Sequence, residues 1–147
     1  MTATVTKYQN FAKVLGGAMD LNSPSMKLTL HTSTYTPNAA THTVYADLSN
    51  ELATANGYTN TGTALASITW TATGGVATFT AANTVFTASG GSIVARYGVL
   101  RLVGTFNGAV DPLFAYILMD STPADVTTTN GNTLTFAWNA SGIFTVT

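Results

Sequence analysis

Apolar and polar residues alternate along most of this chain, and the polar partner is usually threonine. The alternation is cleanest over residues 26–32 (MKLTLHT), where every second side chain from Met26 to Leu30 is apolar. A period of two predicts a β-strand with one apolar face, and it places His31 on the opposite, polar face. Turn-forming residues recur roughly every ten positions, so the whole pattern predicts about seven to nine strands.

Residues 67–82 predict a β-hairpin whose register follows from its turn. Gly74 and Gly75 suit a tight turn, and alternating residues flank them on both sides. With these glycines at the tip, Trp70 lies opposite Phe79 and one face of the hairpin is apolar. The other face carries a ladder of threonines, and a slip of one residue would mix the two faces.

A second hairpin is predicted over residues 133–147, with its turn at residues 139–142. Two registers suit this turn. A loop with an odd number of residues places Phe136 against Phe144 and buries four large side chains together. A four-residue loop ending in Gly142 is also reasonable turn chemistry but mixes the faces, so the first register is favoured.

Two segments are apolar almost without interruption. Residues 92–103 and residues 113–119 predict central strands that are covered on both faces and pair with each other. The connection between them, residues 104–112, contains an Asn-Gly and an Asp-Pro pair and predicts an exposed tip. Residues 44–52 predict a short helical turn.

The N-terminal region has a different pattern. Residues 6–16 carry apolar side chains at helical spacing and end at two glycines, which predicts one short helix capped by Thr6. Residues 1–5 predict either an extended arm or a frayed terminus. Together the elements predict a single domain over residues 1–147: a mainly β, jelly-roll-like antiparallel β-sandwich or barrel with one short N-terminal helix.

The composition argues against several classes of function. Only 7% of the 147 residues are charged, the formal net charge is -1, and the chain contains no cysteine. The absence of a basic stripe argues against nucleic-acid binding, and the absence of cysteine excludes disulfides and thiolate metal sites. No apolar run approaches the roughly 20 residues that span a bilayer. Surfaces this poor in charge are usually covered by partners, which favours a structural part of an assembly over an enzyme.

The few titratable residues do not follow a known catalytic or metal-binding pattern. His42, Asp47 and a nearby hydroxyl could be written as a triad, but no nucleophile motif accompanies them. The two isolated histidines, His31 and His42, lack metal-ligand spacing. Asp120 and Asp125 flank a loop, where turn and capping roles are favoured over calcium binding. We therefore expect no catalytic residue, no metal site and no cofactor.

Arg96 and Arg101 interrupt the most apolar segment, and a charge in such a run rarely lacks a partner. Their odd spacing places them on opposite faces of a regular strand. One interpretation is pairing with an internal carboxylate such as Asp47 or Glu51. The other is exposure at a subunit interface, where arginine is enriched. The two interpretations are balanced for Arg96, and exposure is favoured for Arg101.

A series of short motifs, in the same order and over nearly the whole chain, resembles a family of small virion proteins of tailed bacteriophages. In that family a short helix and an Asp-Leu turn precede a strand ending in Thr-Ser-x-Tyr-x-Pro, and a Trp-x-x-x-Gly-Ile hairpin closes the chain. The matching positions here are residues 7–15, 20–21, 26–37, 42, 45–48, 50–51, 57–58, 95–97, 116–117 and 138–143.

The resemblance implies a capsid decoration (cement) protein that binds the outer capsid surface at capsomer junctions and stabilises the shell. It implies the major capsid protein as partner, a homotrimer, a place on the virion exterior after synthesis in the host bacterial cytoplasm, and no direct contact with nucleic acid or membrane. Alternatives are a tail, neck or fibre-anchoring component, and a carbohydrate-binding adsorption module. The candidate interface residues are Met1, Thr2, Ala3, Thr4, Val5, Arg96, Arg101, Phe106 and Asn107.

Overall fold

The computed structural model describes residues 3–8, 21, 25–74, 76–120 and 124–146. Within these ranges the regular structure is almost entirely β, as the alternation predicts. A 3₁₀ turn at Tyr45–Asp47 confirms the short helical turn predicted for residues 44–52. The strands are β1 (Thr4–Lys7), β2 (Met26–His31), β3 (Thr63–Ala64), β4 (Thr69–Thr73), β5 (Val76–Thr80), β6 (Thr84–Thr87), β7 (Ile93–Ala95), β8 (Tyr97–Leu102), β9 (Thr105–Phe106), β10 (Ala109–Val110), β11 (Leu113–Leu118), β12 (Val126–Thr128), β13 (Thr133–Phe136) and β14 (Phe144–Val146).

The largest sheet is antiparallel and has the strand order β1-β11-β8-β2-β3. Strands β8 and β11 pair as predicted, with Tyr116 opposite Val99. Strand β2 lies on the other side of β8, with Leu28 opposite Leu100. Strands β8 and β11, which come from the two most apolar segments of the sequence, therefore lie side by side within this sheet, where both faces are covered.

Smaller antiparallel sheets pack against one face of the large sheet. Strand β5 lies between β4 and β14, while β6 pairs with β13, β7 with β12, and β9 with β10. The main core lies between these strands and the large sheet, because it joins Leu28 and Ile117 of the large sheet to Phe79 of β5. This arrangement is the predicted antiparallel sandwich, and the sheets of the described ranges do not close into a barrel.

The hairpin β4–β5 has the register that its turn predicts. Trp70 lies opposite Phe79, and on the other face Thr69 and Thr71 lie opposite Thr80 and Thr78. In one such pair the Oγ1 atoms of Thr69 and Thr80 are 2.5 Å apart and form a hydrogen bond. The apolar face packs against the main core, whereas Thr69 and Thr71 are exposed.

The prediction that residues 133–147 form a hairpin is wrong. Strand β13 pairs with β6, and β14 pairs with β5, so that Phe144 lies opposite Phe79. The predicted turn exists, since the N–H of Gly142 donates to the carbonyl O of Asn139 at 2.9 Å, but it carries the chain from one sheet to another. A hairpin of two strands alone is marginally stable, whereas this pairing makes β14 the third strand of a sheet.

Residues 92–103, predicted as one strand, form two. Strand β7 pairs with β12 and β8 enters the large sheet, so the chain changes sheets at Arg96. The main chain of Arg96 remains paired, because its N–H donates to the carbonyl of His31 at 2.8 Å and its carbonyl accepts from the N–H of Met119 at 3.1 Å. The apolar pattern cannot reveal this change, because both strands are apolar.

Strand β1 replaces the start of the helix predicted for residues 6–16. Thr6 and Lys7 belong to β1, and Thr6 lies opposite Tyr116 of β11. The edge of β11 supplies main-chain hydrogen-bond partners along its length, and a short helix in isolation is only marginally stable. The remaining helix positions, residues 9–16, lie outside the described residues.

The predicted N-terminal arm is partly contained in the same strand. Thr4 and Val5 belong to β1 and pair within their own chain, with Val5 opposite Ile117. Met1 and Thr2 lie outside the described residues. Among the described strands β1 is the last on its side of the large sheet, so Thr4 and Val5 lie at an edge of that sheet.

The exposed tip predicted for residues 104–112 is a small hairpin formed by β9 and β10. Asn107 and Gly108 occupy its two-residue turn with φ angles of 49° and 81°. Asparagine and glycine are the residues that most readily adopt this left-handed conformation.

Candidate functional site

The face of β2 that was predicted to be polar is covered. Thr29 and His31 have 0% of their surface exposed. A second apolar cluster packs on this face and contains Tyr35 and Val99. Because Tyr35 comes from the segment that follows β2, this segment folds back across the sheet, which the alternation within β2 does not reveal.

His31 is held by both of its ring nitrogens. Nδ1 is 2.8 Å from the carbonyl O of Ser49 and donates to it. Nε2 is 2.9 Å from Oγ1 of Thr29, and this hydroxyl also lies 3.2 Å from the carbonyl O of Val99. Burial lowers the pKa of His31 below its ordinary value, against the opposing effects of the Ser49 carbonyl and the Glu51 carboxylate. His31 therefore joins β2 to the loop around Ser49 as a neutral group.

Acidification is expected to destabilise the fold through His31. Because the pKa of His31 is lower in the folded protein than in the unfolded chain, the unfolded state takes up a proton first as the pH falls below about 6.5. The free energy of unfolding should therefore depend little on pH just above this value and decrease below it. Urea titrations at about pH 7.5 and about pH 5.5 measure the difference.

Two histidine variants test whether His31 causes this pH dependence of the free energy of unfolding. His31→Gln should reduce the difference between the two pH values, because the titrating ring is gone. His42→Gln, which replaces a half-buried histidine, is the matched control and should preserve the difference. The assignment to His31 fails if the two variants respond to pH in the same way.

Three side chains form a hydrogen-bonded chain on the covered face. The hydroxyls of Tyr8 and Tyr35 are 2.8 Å apart, and the Tyr35 hydroxyl is 3.0 Å from Nδ1 of His42. Both tyrosines are buried, and this burial raises the pKa of each phenol above its ordinary value. These hydrogen bonds join the end of β1 to the loop after β2 through neutral hydroxyl groups.

Asp47 serves the main chain rather than the triad considered for His42. Its Oδ2 accepts from the N–H groups of Thr43 and Val44 at 2.7 and 3.0 Å. These hydrogen bonds lower the pKa of the Asp47 carboxyl. The carboxylate therefore caps the start of the 3₁₀ turn Tyr45–Asp47, in which Asp47 is the last residue.

Glu51 is the centre of a second network. Its Oε1 accepts from the Tyr58 hydroxyl at 2.6 Å and from the Thr61 N–H at 2.7 Å, and its Oε2 accepts from the Tyr45 hydroxyl. Burial and the hydrogen bond to Glu51 raise the pKa of Tyr45 to about 12 and raise that of Tyr58 as well. One carboxylate thus holds three loop positions in place.

Arg101 lies beside this network and is buried, which corrects its predicted exposure. Only 3% of its surface is exposed, and its Nη1 is 3.0 Å from Oδ2 of Asp111. Its Nη2 donates to the carbonyl O of Thr61 at 3.0 Å, and its guanidinium carbon lies 4.0 Å from the centroid of the Tyr45 ring. The partner is neither of the two predicted carboxylates, because the nearby tip folds back and brings Asp111 to the end of β8.

Arg96 is half-buried at the break between β7 and β8. Its guanidinium carbon lies 5.6 Å from the centroid of the Tyr97 ring. Its Nε atom is buried and has no hydrogen-bond partner within the part of the chain that is described. Neither Asp47 nor Glu51 forms a salt bridge with it. The interface role of Arg96 stays a prediction.

Asp125, one of the two carboxylates considered for calcium binding, forms local hydrogen bonds instead. The Oδ1 of Asp125 accepts from the N–H of Ser33 at 2.8 Å, and its Oδ2 accepts from the Ser33 hydroxyl at 3.1 Å. These bonds fix the turn after β2. Among the described residues, no three histidine, aspartate or glutamate side chains are grouped closely enough to hold a metal ion.

An apolar groove lies beside β1, at the open edge of the sandwich, and is called the edge groove below. Its volume is about 560 Å³, which is within the usual range of binding pockets. The indole N–H of Trp138 is buried near it and has no hydrogen-bond partner among the residues described. The groove is lined by Ala3, Val5, Ile117, Met119, Leu134, Thr135, Phe136, Ala137, Trp138, Asn139, Gly142 and Ile143.

Sequence reasoning missed the edge groove. Its residues come from β1, β11, β13 and the loop after β13, which are far apart along the chain. None of the lining side chains is charged, so no cluster of chemically active residues marks it in the sequence. Ala3 and Val5, which line the groove, are nevertheless among the candidate interface residues of the sequence.

The predicted interface residues fall into separate parts of the fold. Ala3 and Val5 line the edge groove, and Thr4 lies between them in β1. Phe106 is half-buried against the main core, and Asn107 is exposed at the adjoining turn. The interface role of each of these residues stays a prediction.

Comparisons with known proteins do not supply a family for this chain. No protein-family model, no curated protein and no solved structure matches it. In the described ranges, no helix has both the length and the apolar character needed to cross a membrane.

Proposed function

We propose that this protein is a structural component of a tailed-bacteriophage virion, acting as a capsid decoration protein. It binds the major capsid protein on the outer surface of the shell, at capsomer junctions, and stabilises the shell. The proposal originates in the ordered series of sequence motifs. It is supported by the roles of the motif residues in the fold.

The observation that carries the proposal is that these motif residues hold loops together. Tyr35 is hydrogen-bonded to His42, Asp47 caps the following turn, and Glu51 accepts from Tyr58. All five of these residues lie at positions of the motif series. A series of motifs whose side chains fix loops is expected of a scaffold that presents a rigid surface, and less so of a reaction centre.

The exposed surface also suits repeated contacts in a lattice. Threonines cover the outer face of the β4–β5 hairpin, and exposed valines occur on several other strands. Such a weakly charged surface gives little repulsion between densely packed copies. Many weak contacts repeated over a shell produce strong overall attachment without any single strong site.

Rebinding to capsids tests the proposed function. Purified protein is mixed with capsids that have been stripped of accessory proteins, and bound copies are counted after sedimentation. We expect saturation at hundreds of copies per particle, located at capsomer junctions, together with greater resistance of the capsid to heat. Capsids that still carry their full complement are the control and should bind no more.

Two other results would replace the proposal. Attachment of a few copies at the tail or neck would identify a component of that region. Binding to host-surface glycans, lost when Trp70 or Trp138 is changed to Ala, would identify an adsorption module.

A further inference from the structure

We propose that β1 and the edge groove form a self-complementary surface, through which two copies of this chain pair by their β1 strands about a two-fold axis. The inference concerns contacts between copies and does not depend on capsid binding. It differs from the homotrimer that the sequence resemblance implies, so the solution mass decides between them.

The outer edge of β1 carries main-chain groups that no other described strand pairs with. The N–H of Tyr8 donates to the carbonyl O of Phe114 in β11 at 3.3 Å. In an antiparallel pair, successive residues direct their main-chain groups alternately toward and away from the partner. By this alternation Ala3, Val5 and Lys7 direct their N–H and C=O groups outwards, where an added strand can bind them.

A two-fold axis at Val5 uses all of these outward groups. In the antiparallel register centred there, Val5 lies opposite Val5 of the second copy, and Ala3 lies opposite Lys7. The two lysines are then at opposite ends of the contact, so no like charges meet. Short length, proline and charge protect exposed sheet edges. Strand β1 (TVTK) has 4 residues and ends in Lys7, but it has no proline and no charge at Val5.

The edge groove favours a second copy as the occupant because it is uncharged. A two-fold contact brings each group near the axis close to its own equivalent, so a charge there would repel itself. The side chains that line the groove carry no charge. Val5, which lines the groove, is 39% exposed. Pairing at β1 places Val5 of the second copy beside it and covers apolar surface on both copies.

The mass of the full chain in solution tests this inference. Light scattering and sedimentation should give a dimer at concentrations of about 10 µM and above, as expected for a modest apolar interface. Val5→Lys and Val5→Glu should each weaken dimerisation at least about tenfold, because each places two like charges at the axis. An equimolar mixture of the two variants should restore the dimer, because opposite charges then meet.

Val94→Lys is the matched control, since Val94 is 38% exposed on a different strand, and it should leave the dimer intact. Circular dichroism confirms that each variant is folded. The inference is wrong if the unaltered chain is monomeric or trimeric, if Val5→Lys keeps the original mass, or if the mixture stays monomeric. These measurements involve no capsid, so they can fail while capsid binding succeeds, and the reverse.

Discussion

Arg101→Ala is expected to lower the free energy of unfolding by about 3 kcal/mol. The substitution removes the donor to Oδ2 of Asp111 and to the Thr61 carbonyl, while Oδ1 of Asp111 keeps its hydrogen bond from the Gly104 N–H. It also removes the guanidinium from the Tyr45 ring. Breaking a fully buried ion pair costs about 3–5 kcal/mol. The lower end applies here because the Asp111 side chain is 25% exposed and gains water. Urea denaturation measures the loss.

Repeating the substitution in an Asp111→Ala variant separates the energy of the ion pair from the energy lost through packing. In a chain that already carries Asp111→Ala, the change Arg101→Ala should cost clearly less, because the pair is broken before the arginine is removed. Arg101→Lys should be intermediate, since an ammonium group keeps the charge but lacks the planar fork of donors. Equal losses in both backgrounds would mean that the pair contributes nothing.

Phe79→Ala is expected to cost about 3–5 kcal/mol of unfolding free energy. Phe79 is completely buried in the main core, and its ring centroid lies 5.3 Å from that of Phe114 and 5.5 Å from that of Phe144. Removing the ring leaves a cavity between the large sheet and the β14-β5-β4 sheet. Because domains of this size are stable by about 5–15 kcal/mol, thermal unfolding should shift to a markedly lower temperature.

An exposed strand position is the control for Phe79. Val85 is 49% exposed in β6, so Val85→Ala should change the stability by no more than about 0.5 kcal/mol. Phe79→Leu should lie between the two, because it leaves a smaller cavity. If Phe79→Ala costs no more than the Val85 variant, the main core does not lie where the fold places it.

The fold could be predicted where the determining residues are close in sequence. The β4–β5 register was correct because one turn and the alternation on both sides of it specify the same pairing, with Trp70 opposite Phe79. The pairing of β8 with β11 was also correct, since both are continuous apolar segments separated by a short tip.

Prediction failed where a distant partner decides the outcome. The turn near Gly142 was recognised, but whether its flanking strands pair with each other depends on β5 and β6, which lie far earlier in the sequence. His31 was assigned to a polar face because no feature of the β2 sequence indicates that Tyr35 packs over that face. Arg101 was expected to be exposed because its partner Asp111 lies in a segment that was predicted as a tip.

The candidate site was less predictable than the fold. The networks around Glu51 and Arg101 depend on how loops meet in space, and the titratable residues involved have no characteristic spacing in the sequence. The edge groove has no chemically distinctive residue other than Trp138, and its walls come from both ends of the chain. Uncharged surfaces formed by tertiary packing leave almost no sequence signal.

The position of β1 in the large sheet has a consequence for how the protein is made. Thr4 pairs with Leu118, so β1 leaves the ribosome long before β11, the strand with which it pairs, has been synthesised. Such distant pairing slows folding, because a long loop must close before the contact forms. A nascent chain that stalls before residue 113 lacks β11 and leaves the apolar edge of β8 unpaired. Strand β1 is thus synthesised well before it can pair, and molecular chaperones have access to it during this interval.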